Sequence, residues 1–515
     1  MAKPAAQAEK PRLAAPAPRL VWIYVLLAIF LVGMMYGRNL SGDVWWHLKT
    51  GQWIIEHHAF PFTDPFSYTA RNPIILHEWG AEVVEWLVYS RISPSALAAM
   101  AVLLICGAFV LTFRMALARS GRALTSFVVV AAGACASAAA SEMRPQVCSF
   151  VFFALAVLIL QRFHERGSRV LWLLAPLFLI WANFHGVFIA GLAMIALEVL
   201  VALLAPPEWA LGRRLPRLAS AGALAAVGAA CALLALVSPN STELYRYPIR
   251  VMANPETTRL INEWTAPTFQ DWTGRSLLAL LGMAAVGLAS LRGRPALRDF
   301  AYVALFAAAS LLSRRQAVLF SIACAAPIAL WLSSARDEAA LWLSKRRLHS
   351  IARRTAWAVL TILVLTLFVW RVSDARGRTA FDYMNTSEVF PAAACDFIQA
   401  SRIAGPMFND YNYGGYLIWR LWPEHRVFVD GRTEPFLQGT FEESKYASDC
   451  AGPGVWQAVF EKYGINFAVL NRAAALASVL AERSDWVRVY GDDKAIVFVR
   501  NIPANSAVIE AARGR

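Results

Sequence analysis

Charged side chains are scarce in this chain. Asp, Glu, Lys and Arg make up 16% of the 515 residues, and 58% are hydrophobic. A soluble chain of this size could not hide that much apolar surface in one core, so an ordinary globular protein is excluded. There is no basic stripe interleaved with aromatics, and the net charge of +14 therefore does not point to nucleic acid. There is no Walker loop and no GxGxxG after a strand, which leaves nucleotide binding without a motif. Cysteine is sparse, and its seven residues form neither CxxC nor a Cys/His metal spacing. Cys106, Cys135, Cys148, Cys231 and Cys324 lie in apolar runs and read as small buried residues. Cys395 and Cys450 lie near the C-terminus, where a periplasmic location would allow a disulfide.

What is present is a series of long apolar runs broken by short basic loops. In hydrocarbon every backbone donor and acceptor must be paired internally, so these runs read as helices. About eleven transmembrane helices are expected between residues 21 and 371. The first apolar run, Val21 to Gly37, has no small-residue cleavage site after it and reads as a retained helix. Residues 1–20, rich in Ala, Pro and Lys, read as a disordered cytoplasmic tail. Two interruptions are long, at 38–94 and 239–275. Basic residues recur in alternate loops, as in Lys3, Lys10, Arg12 and Arg19, Arg114 to Arg122, Arg162 to Arg169, Arg213 to Arg217, Arg292 to Arg298 and Lys345 to Arg354. The positive-inside rule makes that side cytoplasmic. Both long loops and residues 372–515 then face the periplasm of a bacterial inner membrane.

Residues 372–515 change character. GINFAVLN and the pair DWVRVY and AIVFVR read as strands, the pair joined by a Gly-Asp-Asp turn, and RVFVDGRTEPF reads as a strand ending in an Asp-Gly turn. PAAACDFIQAS and GPGVWQAVFEKYG have helical periodicity. A small α/β domain is expected. Tyr411, Tyr413, Trp419, Asp430 and Arg432 are candidates for sugar contacts, although aromatics of a small domain are more often core.

The first long loop holds the most informative residues. Asp43 directly follows helix 1, and Val44 to His58 has a Trp-rich apolar side suited to a helix lying at the lipid–water boundary. An ionisable residue held there is a functional candidate. Its bland reading is the N-cap of that helix. His47, one turn on, either orients Asp43 or is a solvated interfacial histidine. Asp64 before Pro65 reads as a turn residue. Glu78 is either a second acid or a helix-start carboxylate. Glu142 and Arg144 share the short outer loop SEMRPQ and either serve the site or only pair with each other; Arg144 alternatively snorkels to head groups. Asn183 and His185 sit at the outer end of helix 5, lining a cavity or capping. Arg314 and Arg315 break the positive-inside rule locally, which favours phosphate binding. Glu263 lies in the second long loop.

An acid just beyond helix 1, followed by juxtamembrane helices in a long outer loop, resembles the GT-C superfamily of glycosyltransferases. That superfamily includes protein mannosyltransferases, aminoarabinose transferases and the oligosaccharyltransferase catalytic subunit. The motifs GDVWWHL, TDPFSYT and HEW look like those of a group of bacterial multi-pass proteins placed with them, with specificity over roughly Val21 to Gly191. The resemblance implies an α-helical polytopic fold and an inverting transfer of sugar from a polyprenyl-phosphate carrier to a glycan, lipid or protein acceptor. It also implies Asp43 as base, Arg144, Arg314 and Arg315 on the donor phosphate, and His47, Glu78, Glu142, His185 and Glu263 around the substrate. No Asp-X-Asp follows helix 1, so the use of a divalent cation, Mg or Mn, stays open. A flippase of lipid-linked glycans and a non-catalytic glycan-binding assembly protein are the alternatives. The absence of an internal repeat argues against a transporter.

Overall fold

A computed structural model describes residues 18–35, 41–166, 169–204, 217–253, 262–291, 293–342, 346–374, 389–432, 434–436 and 439–514. The expected N-terminal tail over 1–17, the basic residues Arg213, Arg214, Arg292 and Lys345, and the stretch 375–388 lie outside them.

Helix α1 (Pro18–Met35) leads into two short helices, α2 (Val44–His57) and α3 (Trp79–Arg91). There follow α4 (Pro94–Ser120), α5 (Ala123–Ala136), α6 (Gln146–Arg166), α7 (Leu174–Trp181), α8 (Phe188–Leu204), α9 (Arg217–Ala235) and α10 (Glu243–Met252). The helical part ends with α11 (Trp272–Ala289), α12 (Leu297–Leu312), α13 (Ala317–Trp342) and α14 (Arg346–Asp374). Helices occupy all eleven expected apolar runs. Six of the described helices are long and apolar enough to cross a membrane, and four shorter apolar helices accompany them.

Helix α13 is the hub, packed on α4, α5, α11 and α12. Its run of Ala323, Cys324, Ala325 and Ala326 is buried, because small side chains let neighbouring helices approach closely. Helix α14, by contrast, packs mainly on α1 and leaves Ile362, Leu363 and Val369 exposed, as a lipid-facing surface would. An ion cluster that the sequence reading did not anticipate ties three helices together. Glu198 on α8 accepts from Arg298 Nε and Tyr302 Oη on α12 and pairs with His164 Nε2 on α6. A buried charge persists only when paired in this way.

The C-terminal part begins with α15 (Ala392–Ser401), β1 (Met407–Asn409) and α16 (Gly414–Leu421). It continues through α17 (Thr440–Ser448), α18 (Val455–Lys462), β2 (Phe467–Asn471), α19 (Ala475–Ala481), β3 (Trp486–Gly491), β4 (Ala495–Arg500) and α20 (Ser506–Arg513). The sheet order is β1-β2-β4-β3, with β1 parallel to β2 and the other pairs antiparallel. Asp492 sets the expected β3–β4 turn, its Oδ1 accepting the Lys494 and Ala495 N–H groups at 2.8 Å. Alternate residues serve two cores: Phe467 and Val469 face one, Ala468 and Leu470 the other.

Three expectations are corrected. RVFVDGR joins no strand of the sheet. Val427 makes only an isolated bridge to Ser67, and the Asn409 side chain accepts from Phe428 N–H and donates to the Val429 carbonyl. The backbone groups of that segment are thus satisfied without a partner strand. Cys395 and Cys450 are free thiols belonging to different core clusters. Finally, the Trp45 and Trp46 rings are not an exposed apolar face. They are buried in the core beneath the sheet, Trp45 packing on Phe390, Tyr416 and Trp419. That shared core fixes α2, and with it Asp43, against the C-terminal part.

Candidate functional site

Asp43 stands at the start of α2 but makes no side-chain capping hydrogen bond. Its Oδ2 lies instead 3.1 Å from Arg144 Nη2. Arg144 collects two further acids, Glu263 Oε1 at 2.6 Å and Glu142 Oε2 at 3.6 Å, and its Nε donates to Ser41 Oγ at 2.8 Å. Three carboxylates from three separate loops thus converge on one guanidinium. The guanidinium itself stays charged, since these acids outweigh the burial that opposes its charge. Burial, by contrast, raises the Glu142 carboxyl.

Two glycines permit this arrangement. Gly431 backs directly onto Asp43, and a Cβ there would overlap Asp43 Oδ1. A Cβ at Gly415 would meet the Gly42 carbonyl at 3.0 Å. The first loop is also stitched to the C-terminal part. Arg432 donates to both oxygens of Asp64 at 2.9 Å and to Asp430 at 2.6 and 2.8 Å, all three buried. Asp64 is the expected turn residue too, accepting the Phe66 N–H at 2.9 Å. Asp430 and Arg432 are thus joined in this clamp.

Between the loops and the C-terminal part lies a cavity of about 1000 Å³. Asp43, Arg144, Glu263, Trp264 and Arg315 line it together with Tyr411, Tyr413, Lys445 and Lys494. Arg315 reaches Glu263 Oε2 at 4.0 Å and His185 Nε2 at 3.3 Å, with its guanidinium 6.0 Å from the Trp264 ring centroid. Arg314 turns elsewhere, to Asp271 Oδ2 at 3.4 Å, and does not line the cavity.

His47, Glu78 and His185 form a second nest rather than part of the cavity wall. His47 Nδ1 lies 3.0 Å from Glu82 Oε1 and 3.7 Å from Glu78 Oε2, so its ring serves α3 and does not orient Asp43. Glu78 Oε1 lies 3.3 Å from His185 Nε2 and 3.4 Å from His77 Nε2. His77 in turn faces Glu434, which accepts from Tyr247 Oη at 3.2 Å. Burial opposes protonation of His77, but Glu78 and Glu434 prevail and bring it up to about 10. At His185 burial wins and takes the ring down to about 3, which leaves it neutral. The sequence reading missed His77, Glu82, Glu434, Tyr247, Lys445 and Lys494. Two of these carried a signal, His77 in the HEW motif and Glu82 one turn beyond Glu78.

The trio around Arg144 does not fit a divalent ion in this arrangement, because the guanidinium holds the position a cation would take. The donor set that does fit one lies in the second nest, where ligand atoms of His47, Glu78 and Glu82 come within 4.8 Å of one another.

No protein-family model matches the sequence, and no curated protein matches it. The fold is nonetheless similar to those of several solved proteins. It is similar to oligosaccharyltransferase AglB from Archaeoglobus fulgidus, solved with an inhibitory peptide and a dolichol-phosphate, with a TM-score of 0.54 at 13% identity, covering 88% of this chain and 69% of that one. It is also similar to ArnT from Cupriavidus metallidurans bound to undecaprenyl phosphate, with a TM-score of 0.53 at 12% identity, covering 95% of this chain and 99% of that one. A third is arabinofuranosyltransferase AftD from Mycobacteria, with a TM-score of 0.52 at 12% identity, covering 94% of this chain and 42% of that one.

Proposed function

We propose that this chain is a glycosyltransferase that moves a sugar from a polyprenyl-phosphate-linked donor to a glycan, lipid or protein acceptor at the periplasmic face of a bacterial inner membrane. The observation that carries this reading is the cavity lined by Asp43 together with the cations Arg144 and Arg315. Lipid phosphates bound to AglB and ArnT support the donor class. On this reading about eleven helices span the bilayer between residues 21 and 371. The N-terminus is cytoplasmic, and residues 372–515 are periplasmic.

Asp43 takes the proton of an acceptor hydroxyl. The acceptor oxygen bonds to the anomeric carbon while the bond from that carbon to the phosphate oxygen breaks, in one inverting displacement. The phosphate leaves with the electron pair, and Arg144 and Arg315 stabilise its charge. Asp43 and the donor phosphate compete for the same guanidinium. Phosphate binding at Arg144 would loosen the 3.1 Å Asp43 contact and leave that carboxylate free to accept a proton. Donor binding and base activation are thereby coupled through one residue.

The test is the lipid-carrier profile of cells lacking the protein, complemented with wild type or with Asp43→Asn. Accumulated polyprenyl-linked sugar, not relieved by the variant at normal membrane levels, supports the reading. Transfer normally drops about a hundred- to ten-thousandfold when a general base is lost. Full complementation by Asp43→Asn would leave the flippase or the assembly protein in its place.

A further inference from the structure

Helices α2 and α3 meet over a set of buried ionisable groups that sugar transfer does not use. Glu82 and Glu85 lie on one face of α3, and Glu78, one turn before Glu82, immediately precedes the helix. His47 faces them from α2. The helices are in close contact here, for a Cβ on Gly51 would overlap the Glu82 carbonyl. His47 is 2% exposed, Glu82 3% and Glu85 1%.

Protein hydrogen bonds do not satisfy this set. Both oxygens of Glu85 are buried without a hydrogen-bond partner, and the charges that act on them are those of His47, Glu82 and Glu78. An unpartnered buried carboxylate is among the most costly groups a fold can hold. One imidazole and two carboxylates, those of His47, Glu78 and Glu82, suit a divalent transition ion, which accepts mixed nitrogen and oxygen ligands; magnesium and calcium favour all-oxygen shells.

We propose that His47, Glu78 and Glu82 bind a divalent transition-metal ion of the zinc or manganese class, which clamps α2 to α3, with Glu85 as a supporting carboxylate behind the ligands. The bound ion would hold the first turn of α2, and so Asp43, in place. It would be a structural ion, distinct from a cation at the reacting phosphate.

The test uses the full chain in detergent, with any affinity tag removed. Metal content by mass spectrometry should be about one zinc or manganese per chain. Stripping with a strong chelator should lower the melting temperature, and zinc or manganese, but not magnesium, should restore it. Glu85→Gln and Glu82→Gln should each weaken metal retention about ten- to a hundredfold while the protein stays monodisperse on size exclusion. Metal-free protein whose melting temperature ignores both chelator and added ions would overturn the proposal. So would a Glu85→Gln chain that melts higher with unchanged metal content, since the carboxylates would then be held by protons.

Discussion

Gly431 of the C-terminal part backs so closely onto Asp43 that any side chain there would displace the carboxylate. The acid of the first loop is therefore positioned by a turn almost four hundred residues away. A Gly431→Ala chain is expected to fold with about 1–3 kcal/mol of overpacking strain and to lose transfer out of proportion to that. Membrane levels together with a transfer assay would separate the two effects.

The two adjacent outward arginines are expected to behave differently. Arg315 lines the cavity, whereas Arg314 is engaged with Asp271 outside it. Loss of a charge-assisted contact is worth about 1.5–3 kcal/mol, so Arg315→Ala should raise the KM for a lipid-phosphate donor about ten- to a hundredfold. Arg314→Ala should change it by less than about twofold. Equal effects in donor titrations would contradict the placement of Arg315.

The Asp64–Arg432–Asp430 clamp joins the first loop to the C-terminal part through buried charges. Removal of one partner from such a group typically costs about 3–5 kcal/mol, because the remaining charges stay buried. Asp64→Asn should therefore lower the thermal midpoint and expose the C-terminal part to limited proteolysis. Retention of wild-type protease resistance would show that the shared core around Trp45 suffices alone.

His425 offers a pH-dependent test away from the site. Burial holds its ring below the ordinary histidine value, so the folded protein keeps it neutral while the unfolded chain takes up a proton as pH falls below about 6.5. Stability is thus lost as pH falls from that point toward the folded-state value. His425→Gln should reduce the fall in melting temperature between pH 7 and pH 5, read as the difference from wild type.

The helices, their order and the strands β2, β3 and β4 were legible because their causes are local. Apolar runs bounded by basic loops dictate helices in hydrocarbon, and alternating apolar residues dictate strands. Asp43 was legible as a candidate by its place after the first helix, and so was the turn role of Asp64. The sequence could not show that Asp43, Glu142 and Glu263 meet on Arg144, that Arg314 and Arg315 diverge, or that Glu85 is left without a partner. Each of these depends on which loops approach one another across hundreds of residues. Side-chain pairing in a buried site is decided by that approach, since a charge withdrawn from water takes whichever partner the packed backbone brings within reach.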